Sequence, residues 1–200
     1  ESTLKDFVTI VYLPETSVMS YRAHDLDEER LRPKDGEIIV FTDHMNRGFT
    51  PPDSKFFRDI VHFFKLHPQD IGPNSISNIC NFQVFCEVYL QEEPTVEFFR
   101  EYFYSNHQNE YTNSPSLDLG GISIQRRRDA IFPLVVLPSH PKDQNQTWFY
   151  CQDSSPSDEN SMPGYRAERL DTTYQLPDKL TTAERKKLMP KIKKVQALLG

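Results

Sequence analysis

Between Ser54 and Tyr104 the chain sets out three successive stretches of apolar residues at helical spacing, with prolines between them. Phe57, Ile60, Val61 and Phe64 stand at i, i+3, i+4 and i+7 behind Ser54, a helix-capping residue, and the pattern stops near His67-Pro68. After Gly72-Pro73-Asn74-Ser75, a longer run of Ile76, Ile79, Cys80, Phe82, Val84, Phe85, Val88, Tyr89 and Leu90 covers more than one helical face and predicts a central helix. Thr95 caps a third stripe, Val96, Phe99, Tyr102 and Phe103, that runs to about Tyr104. Helices this close together and this rich in large side chains have to pack on one another.

Strand signals are fewer. Glu37-Ile-Ile-Val-Phe-Thr42 reads as a buried strand, Ile122-Ser-Ile124 alternates on its way into Arg126-Arg127-Arg128, and Thr147-Trp-Phe-Tyr-Cys151 is aromatic and β-prone. The expected class is α+β: a mainly helical domain with a small β-sheet from residues 37–42, 122–127 and 147–152. Leu4, Phe7, Val8 and Val11 predict a short amphipathic helix stopped by Pro14, while residues 15–35 are polar. Residues 105–116 read as loop, Phe132–Pro138 as an edge or extended segment, and 154–163 as a looser exposed loop. Thr181-x-x-Glu184 is a capping box ahead of Leu188, Ile192, Val195 and Leu199, a helical stripe that Pro190 should kink or interrupt. The division expected is a globular unit over 1–177, with its core in 36–151, and a basic amphipathic helical extension over 178–200.

Charge and composition remove several function classes. The net charge is −6, so no global basic field draws the chain to nucleic acid or to membranes, and no apolar run is long enough to span a bilayer. The extension departs from this balance: its seven Lys/Arg against two Asp/Glu leave +5 there and −11 on residues 1–177. Three cysteines, Cys80, Cys86 and Cys151, are an odd number in a chain long enough to fold without staples, and read as reduced thiols of an intracellular protein, nuclear or cytoplasmic. Asn145-Gln-Thr147 is a formal glycosylation acceptor with nothing else to suggest secretion. A chain opening on Glu1 rather than Met is expected to be a fragment of a longer protein.

Catalytic signatures are missing. The six histidines are dispersed without a metal-binding spacing, and phosphate loops, dinucleotide fingerprints and nucleophile elbows do not occur. Asp43-His44 could form an acid–base pair at a strand end, but neighbours on a strand point to opposite faces, and a polar strand exit is the simpler reading. No enzyme activity, cofactor, metal or small-molecule substrate is therefore expected. Arg47 with Arg126, Arg127 and Arg128 could make a phosphate patch, with Trp148, Phe149 and Tyr150 as stacking partners for unpaired bases. Against this stands the reading of the aromatics as core and the arginines as a solvated loop. The helix carrying Lys187, Lys191, Lys193 and Lys194 could meet nucleic acid, an acidic partner or only solvent.

Ordered phrases along the chain carry a resemblance. Gly36-Glu-Ile-Ile-Val-Phe41, Arg47-Gly-Phe49, Pro52-Asp-Ser-Lys-Phe-Phe-Arg58, Phe63-Phe-Lys-Leu-His-Pro68, Gly72-Pro-Asn-Ser-Ile76 and Phe85-Cys-Glu-Val-Tyr-Leu90 resemble the gypsy-type transposon domain family of plants, a retrotransposon-associated N-terminal domain. Gly121-Ile-Ser-Ile124, Phe132-Pro133, Trp148-Phe-Tyr150, Leu180-Thr-Thr-Ala-Glu184 and Leu198-Leu-Gly200 continue it. The resemblance implies no reaction, cofactor or catalytic residue. Two departures stand out: Lys65 where a glycine is usual after the paired Phe, and the more polar Asn81-Phe-Gln-Val84.

The leading expectation is a non-catalytic protein-interaction or assembly module of retrotransposon descent, one that a plant host could have adopted, with a protein partner or a second copy as ligand and no membrane contact. Tyr102 with Tyr104, and Phe82 with Phe85, are expected to overfill a small core and leave aromatic surface for that partner. The alternative is a nucleic-acid-binding module built on the arginine patch and the basic helix.

Overall fold

The computed structural model describes residues 19–25, 28, 31–107, 122–133, 147–153, 161–164 and 179–200. The expected helix at 4–11, most of the extended segment after Phe132 and most of the 154–163 loop lie outside these residues. The architecture is α+β. Strand β1 is Tyr21–Ala23 and β2 Glu37–Phe41; helices α1 Thr42–Met45, α2 Lys55–Phe63 and α3 Pro73–Val84 follow, and α3 passes into a π-turn, Phe85–Leu90. Then come α4 Val96–Tyr102, β3 Phe103–His107, β4 Ile122–Arg126, β5 Trp148–Gln152 and α5 Thr182–Leu199.

The anticipated single sheet is two. β5 is central in an antiparallel three-stranded sheet ordered β1-β5-β2, with Val40 opposite Phe149 and Tyr21 opposite Cys151. β4 joins neither neighbour but pairs antiparallel with β3, Ser105 opposite Ile124. Two corrections follow from this: residues 103–107 are strand rather than helix end and loop, and the polar 15–35 region contains β1. Both strands are legible only through their partners, since neither carries a strong alternating pattern of its own. The β3–β4 hairpin is held to α3 by side chains. The Ile124 amide donates to Ser75 Oγ at 2.8 Å, and Asn78 Nδ2 donates to the Ile124 carbonyl at 2.9 Å.

Everything meets at Phe82. This side chain is fully buried on α3, and its ring centroid lies 5.2–6.3 Å from those of Phe56, Phe98, Phe99, Tyr102, Phe103 and Phe132. Three of the six contacts, to Phe98, Phe99 and Phe103, are edge-to-face, an arrangement the ring quadrupole favours. Phe85 and Tyr102 are buried in the same cluster, so the expected surplus of aromatic surface is absent at these positions; the core is large enough to take them because α2, α3, α4 and both strands of the hairpin contribute.

Local chemistry ties the helices to this centre. Ser54 caps α2 by accepting from the Phe57 amide at 3.1 Å and donates to Gln83 Oε1 on α3 at 2.7 Å. Arg58 donates to the Asp53 carboxylate at 3.1 Å, and both side chains are buried; burial outweighs the arginine and holds the Asp53 carboxyl above its usual range. Helix α2 ends in a paired-bond cap, Leu66 N to the Val61 carbonyl at 2.8 Å and Lys65 N to the His62 carbonyl at 3.1 Å, and this cap places Lys65 at φ +52°. The glycine usual in the related phrase is thereby explained: the position is left-handed, which costs a residue with a Cβ. Gly48 has a similar demand, at φ +100° with room for a Cβ only 3.2 Å from that of Cys80.

Helix α5 is continuous through Pro190. The expected interruption does not occur, because Pro190 is exposed and its missing amide leaves only the Lys186 carbonyl to water.

Phe82→Ala should cost about 3–5 kcal/mol in urea unfolding, and Phe82→Leu clearly less. Lys65→Gly should raise stability by about 0.5–1 kcal/mol, whereas Lys65→Val should lower it, because a β-branched residue fits the left-handed position worst.

Candidate interaction surface

The expected contact residues divide sharply by what holds them. Trp148, Phe149 and Tyr150 on β5 are buried, so they cannot stack on unpaired bases. Tyr150 Oη instead accepts from the Arg32 amide and the Trp148 indole and donates to the Glu28 carboxylate, closing a second small core of Leu31, Ile39, Phe41, Trp148 and Tyr150 on the far face of the sheet. Arg126 donates to the Phe132 carbonyl at 2.9 Å, and Arg127 donates from Nε to the Arg100 carbonyl at 3.0 Å. Arg128 is exposed in the turn that follows. Arg47 is half buried beside Gly48, far along the chain from that turn.

The basic helix is docked rather than projecting. Its inner stripe buries Ile192 and Val195 in the main core, each side chain contributing about 1.5–3 kcal/mol. Charge aligns it along α4. Arg100 donates to the Lys179 carbonyl at 2.7 Å and meets Glu184 at 3.5 Å, Arg185 meets Glu101 at 3.0 Å, and further along Lys191 and Lys194 both engage Glu92. The Lys194 and Lys191 ammonium groups hold the Glu92 carboxyl below its usual range, and Thr181 does the same for Glu184 in the capping box. Pairs as exposed as these add little stability and are screened by salt, so their main effect is on register and direction. Lys186, Lys187 and Lys193 lie on the outward side, exposed.

Apolar surface appears in another place. In the π-turn Phe85, Cys86 and Leu90 point inward, and the i, i+5 spacing of Phe85 and Leu90 carries Tyr89 to the outside. Val84, Val88 and Tyr89 are 50%, 62% and 65% exposed, and Ile131, next to the Phe132 ring that meets Phe85, is 57% exposed. Val84, Val88 and Tyr89 belong to the run that covers more than one helical face in the sequence, and that excess of apolar residues over one face is the signal that some of them lie outside the core. A cleft of about 510 Å³ lies between α2 and the start of α4, lined by Lys55, Asp59, His62, Phe63 and residues 93–97.

Groups that could do chemistry are buried or spoken for. Burial pushes the thiols of Cys80, Cys86 and Cys151 up to about 12, so thiolate is scarce at neutral pH. Among the described residues no three His, Cys, Asp or Glu side chains gather as a metal site, and no helix is long and apolar enough to cross a membrane. Asp43 and His44 lie on helix α1 rather than on a strand. His44 is buried, bonds through Nε2 to the Ile71 carbonyl at 3.1 Å and packs edge-on against Phe41. The part of the expected loop that is described is also structural: His62 and His67 bond the carbonyls of Ser161 and Gly164 and seat Met162 in the core.

Residues 38–107, from β2 through β3, match the family described as Putative gypsy type transposon. No curated protein and no solved structure matches the chain.

Burial drives the His44 pKa down to about 4 from its ordinary 6.5. Between those values the unfolded chain takes up a proton that the folded chain refuses, so stability is full above pH 6.5 and falls as pH drops through the window. Unfolding measured at pH 7 and pH 5 should differ by about 2 kcal/mol from this group, with Asp53 working in the opposite sense, and His44→Gln should remove most of the slope.

Proposed function

We propose that this chain is a non-catalytic protein-interaction module of transposon descent, working through the apolar surface that the π-turn turns outward. The carrying observation is that Val84, Val88 and Tyr89 stay exposed while Phe85, Cys86 and Leu90 of the same stretch are packed inside. A contiguous apolar patch of this kind is characteristic of protein contacts, and Tyr is favoured at their centres. The match of residues 38–107 to a transposon-associated family agrees with the descent and leaves the task open. Scarce thiolate and the absence of catalytic motifs favour an interaction role over an enzymatic one.

The nucleic-acid reading keeps fewer supports. Of its residues Trp148 is buried, Arg126 and Arg127 hold backbone carbonyls, and Lys191 and Lys194 face Glu92. Arg128, Lys187 and Lys193 remain exposed for it.

Sedimentation velocity over a wide concentration range tests the choice. The wild-type chain should gain mass with concentration, and a Val88→Asp/Tyr89→Asp variant should stay at 23.4 kDa with an unchanged melting temperature. A chain that remains monomeric, yet binds labelled single-stranded RNA or duplex DNA with a steep salt dependence lost on Arg128→Glu/Lys187→Glu/Lys193→Glu, would overturn this reading in favour of nucleic acid.

A further inference from the structure

The cleft between α2 and the start of α4 is a concave surface separate from the π-turn patch. Lys55, Asp59 and His62 stand at i, i+4 and i+7, so one face of α2 forms its first wall, and residues 93–97 form the second. Its apolar lining is Phe63, Pro94 and Val96, and Phe63 and Val96 also pack on the main core. Most polar groups on these walls are engaged. Lys55 pairs with Asp59 at 2.5 Å, His62 bonds the Ser161 carbonyl at 2.6 Å, and the Thr95 hydroxyl accepts from the Phe98 amide at 3.3 Å. Glu93 and Glu97 differ: both are exposed, and neither carboxylate has a partner among the described residues. One lysine against three carboxylates leaves the lining at −2.

An anion or a nucleic-acid backbone is repelled by that charge, and a wholly apolar guest leaves two carboxylates unanswered beside it. A cation on an apolar stem satisfies both halves of the lining: the stem covers Phe63, Pro94 and Val96, while the charged head stays at the rim with Glu93 and Glu97, still partly hydrated, so that little desolvation opposes binding. The chain already makes contacts of this kind within itself. Lys191 sits over the Phe98 ring at 5.6 Å and reaches the Glu92 carboxylate at 3.4 Å, and the Arg100 guanidinium lies over the Phe63 ring at 4.8 Å. Arginine suits the cleft better than lysine, because a planar guanidinium both stacks on a ring and takes two carboxylate oxygens at once. We infer that the cleft docks an arginine-bearing basic peptide segment of a second protein, its guanidinium held by Glu93 and Glu97 and its stem laid on Phe63 and Val96. The volume of about 510 Å³ falls within the roughly 300–1,000 Å³ of ligand clefts and admits a few residues. This rests on the protein-interaction reading and gives it a partner chemistry. None of Val84, Val88 and Tyr89 lines the cleft, so the two contacts can fail separately.

Fluorescence anisotropy of a labelled Gly-Arg-Leu-Arg-Gly peptide with the full chain at low salt tests this. The wild type should bind it saturably, and should not bind the same peptide with citrulline, which keeps the shape of arginine without its charge. Glu93→Gln/Glu97→Gln should weaken binding about tenfold or more at an unchanged melting temperature. Asp35→Asn/Asp129→Asn, which removes the same charge from exposed positions outside the cleft, should leave binding within about twofold. Absence of saturable binding to the wild type overturns the proposal. Equal losses in the two double variants overturn it as well, since they report general attraction to an acidic surface rather than a site. So does binding that survives Glu93→Gln/Glu97→Gln but is lost on Val88→Asp/Tyr89→Asp, which places the peptide on the patch. If the peptide fails to bind while the wild type still gains mass with concentration, the cleft proposal falls and the interaction reading stands; if both fail, both fall.

Discussion

The packing of six aromatic rings around Phe82 is the constraint on which the other elements depend. An α3 that must present one ring to α2, α4, the hairpin and Phe132 at once can do so only if those elements converge on a single side of it. Interiors are close-packed, so each neighbour's position limits the others. The Ser54–Gln83 bond and the Ser75 and Asn78 bonds to β4 then set α2 and the hairpin at fixed places along the same helix. Polar contacts in this protein orient; the aromatic cluster holds.

The π-turn is the consequence of ending such a helix under a crowded core. Phe85 and Leu90 both reach inward by opening the turn, and the outward side is left with Val88 and Tyr89. Tyr89 covers the buried Phe85 from outside, the two rings stacked with centroids 5.8 Å apart. Local widening of this sort recurs where helices carry function, and here it generates the exposed apolar surface on which the proposed interaction rests.

Electrostatics is organised by contact rather than by net field. The acidic body and the basic last segment neutralise one another along α4, so the basic helix presents to solvent far fewer cations than its sequence advertises. Among the arginines, Arg58 meets buried Asp53, Arg126 and Arg127 satisfy backbone carbonyls, and only Arg128 of the triplet faces water. Arginine suits such positions because its fork of donors serves carbonyl and carboxylate alike.

Much of the helical plan was legible in the residues: the caps at Ser54, Thr95 and Thr181, the breaks at Pro68, Pro73 and Pro94, and the inner stripes of α2 and α5 all follow from spacing and capping chemistry that act within a turn or two. The strands were legible where hydrophobicity or alternation was marked, at 37–41, 122–126 and 148–152. β1 and β3 were not, because a strand of mixed polarity is defined by its hydrogen-bonded neighbour, and the division into two sheets is a fact about pairing across the chain. The candidate site shows the same boundary. Spacing could mark Trp148 as aromatic and Lys191 as basic, but burial of the one and pairing of the other with Glu92 depend on what packs beside them. Side-chain identity is local and solvent exposure is not, so the sequence settled where the longer helices α2 to α5 lie, and the fold decided which of their residues remain free to meet another molecule.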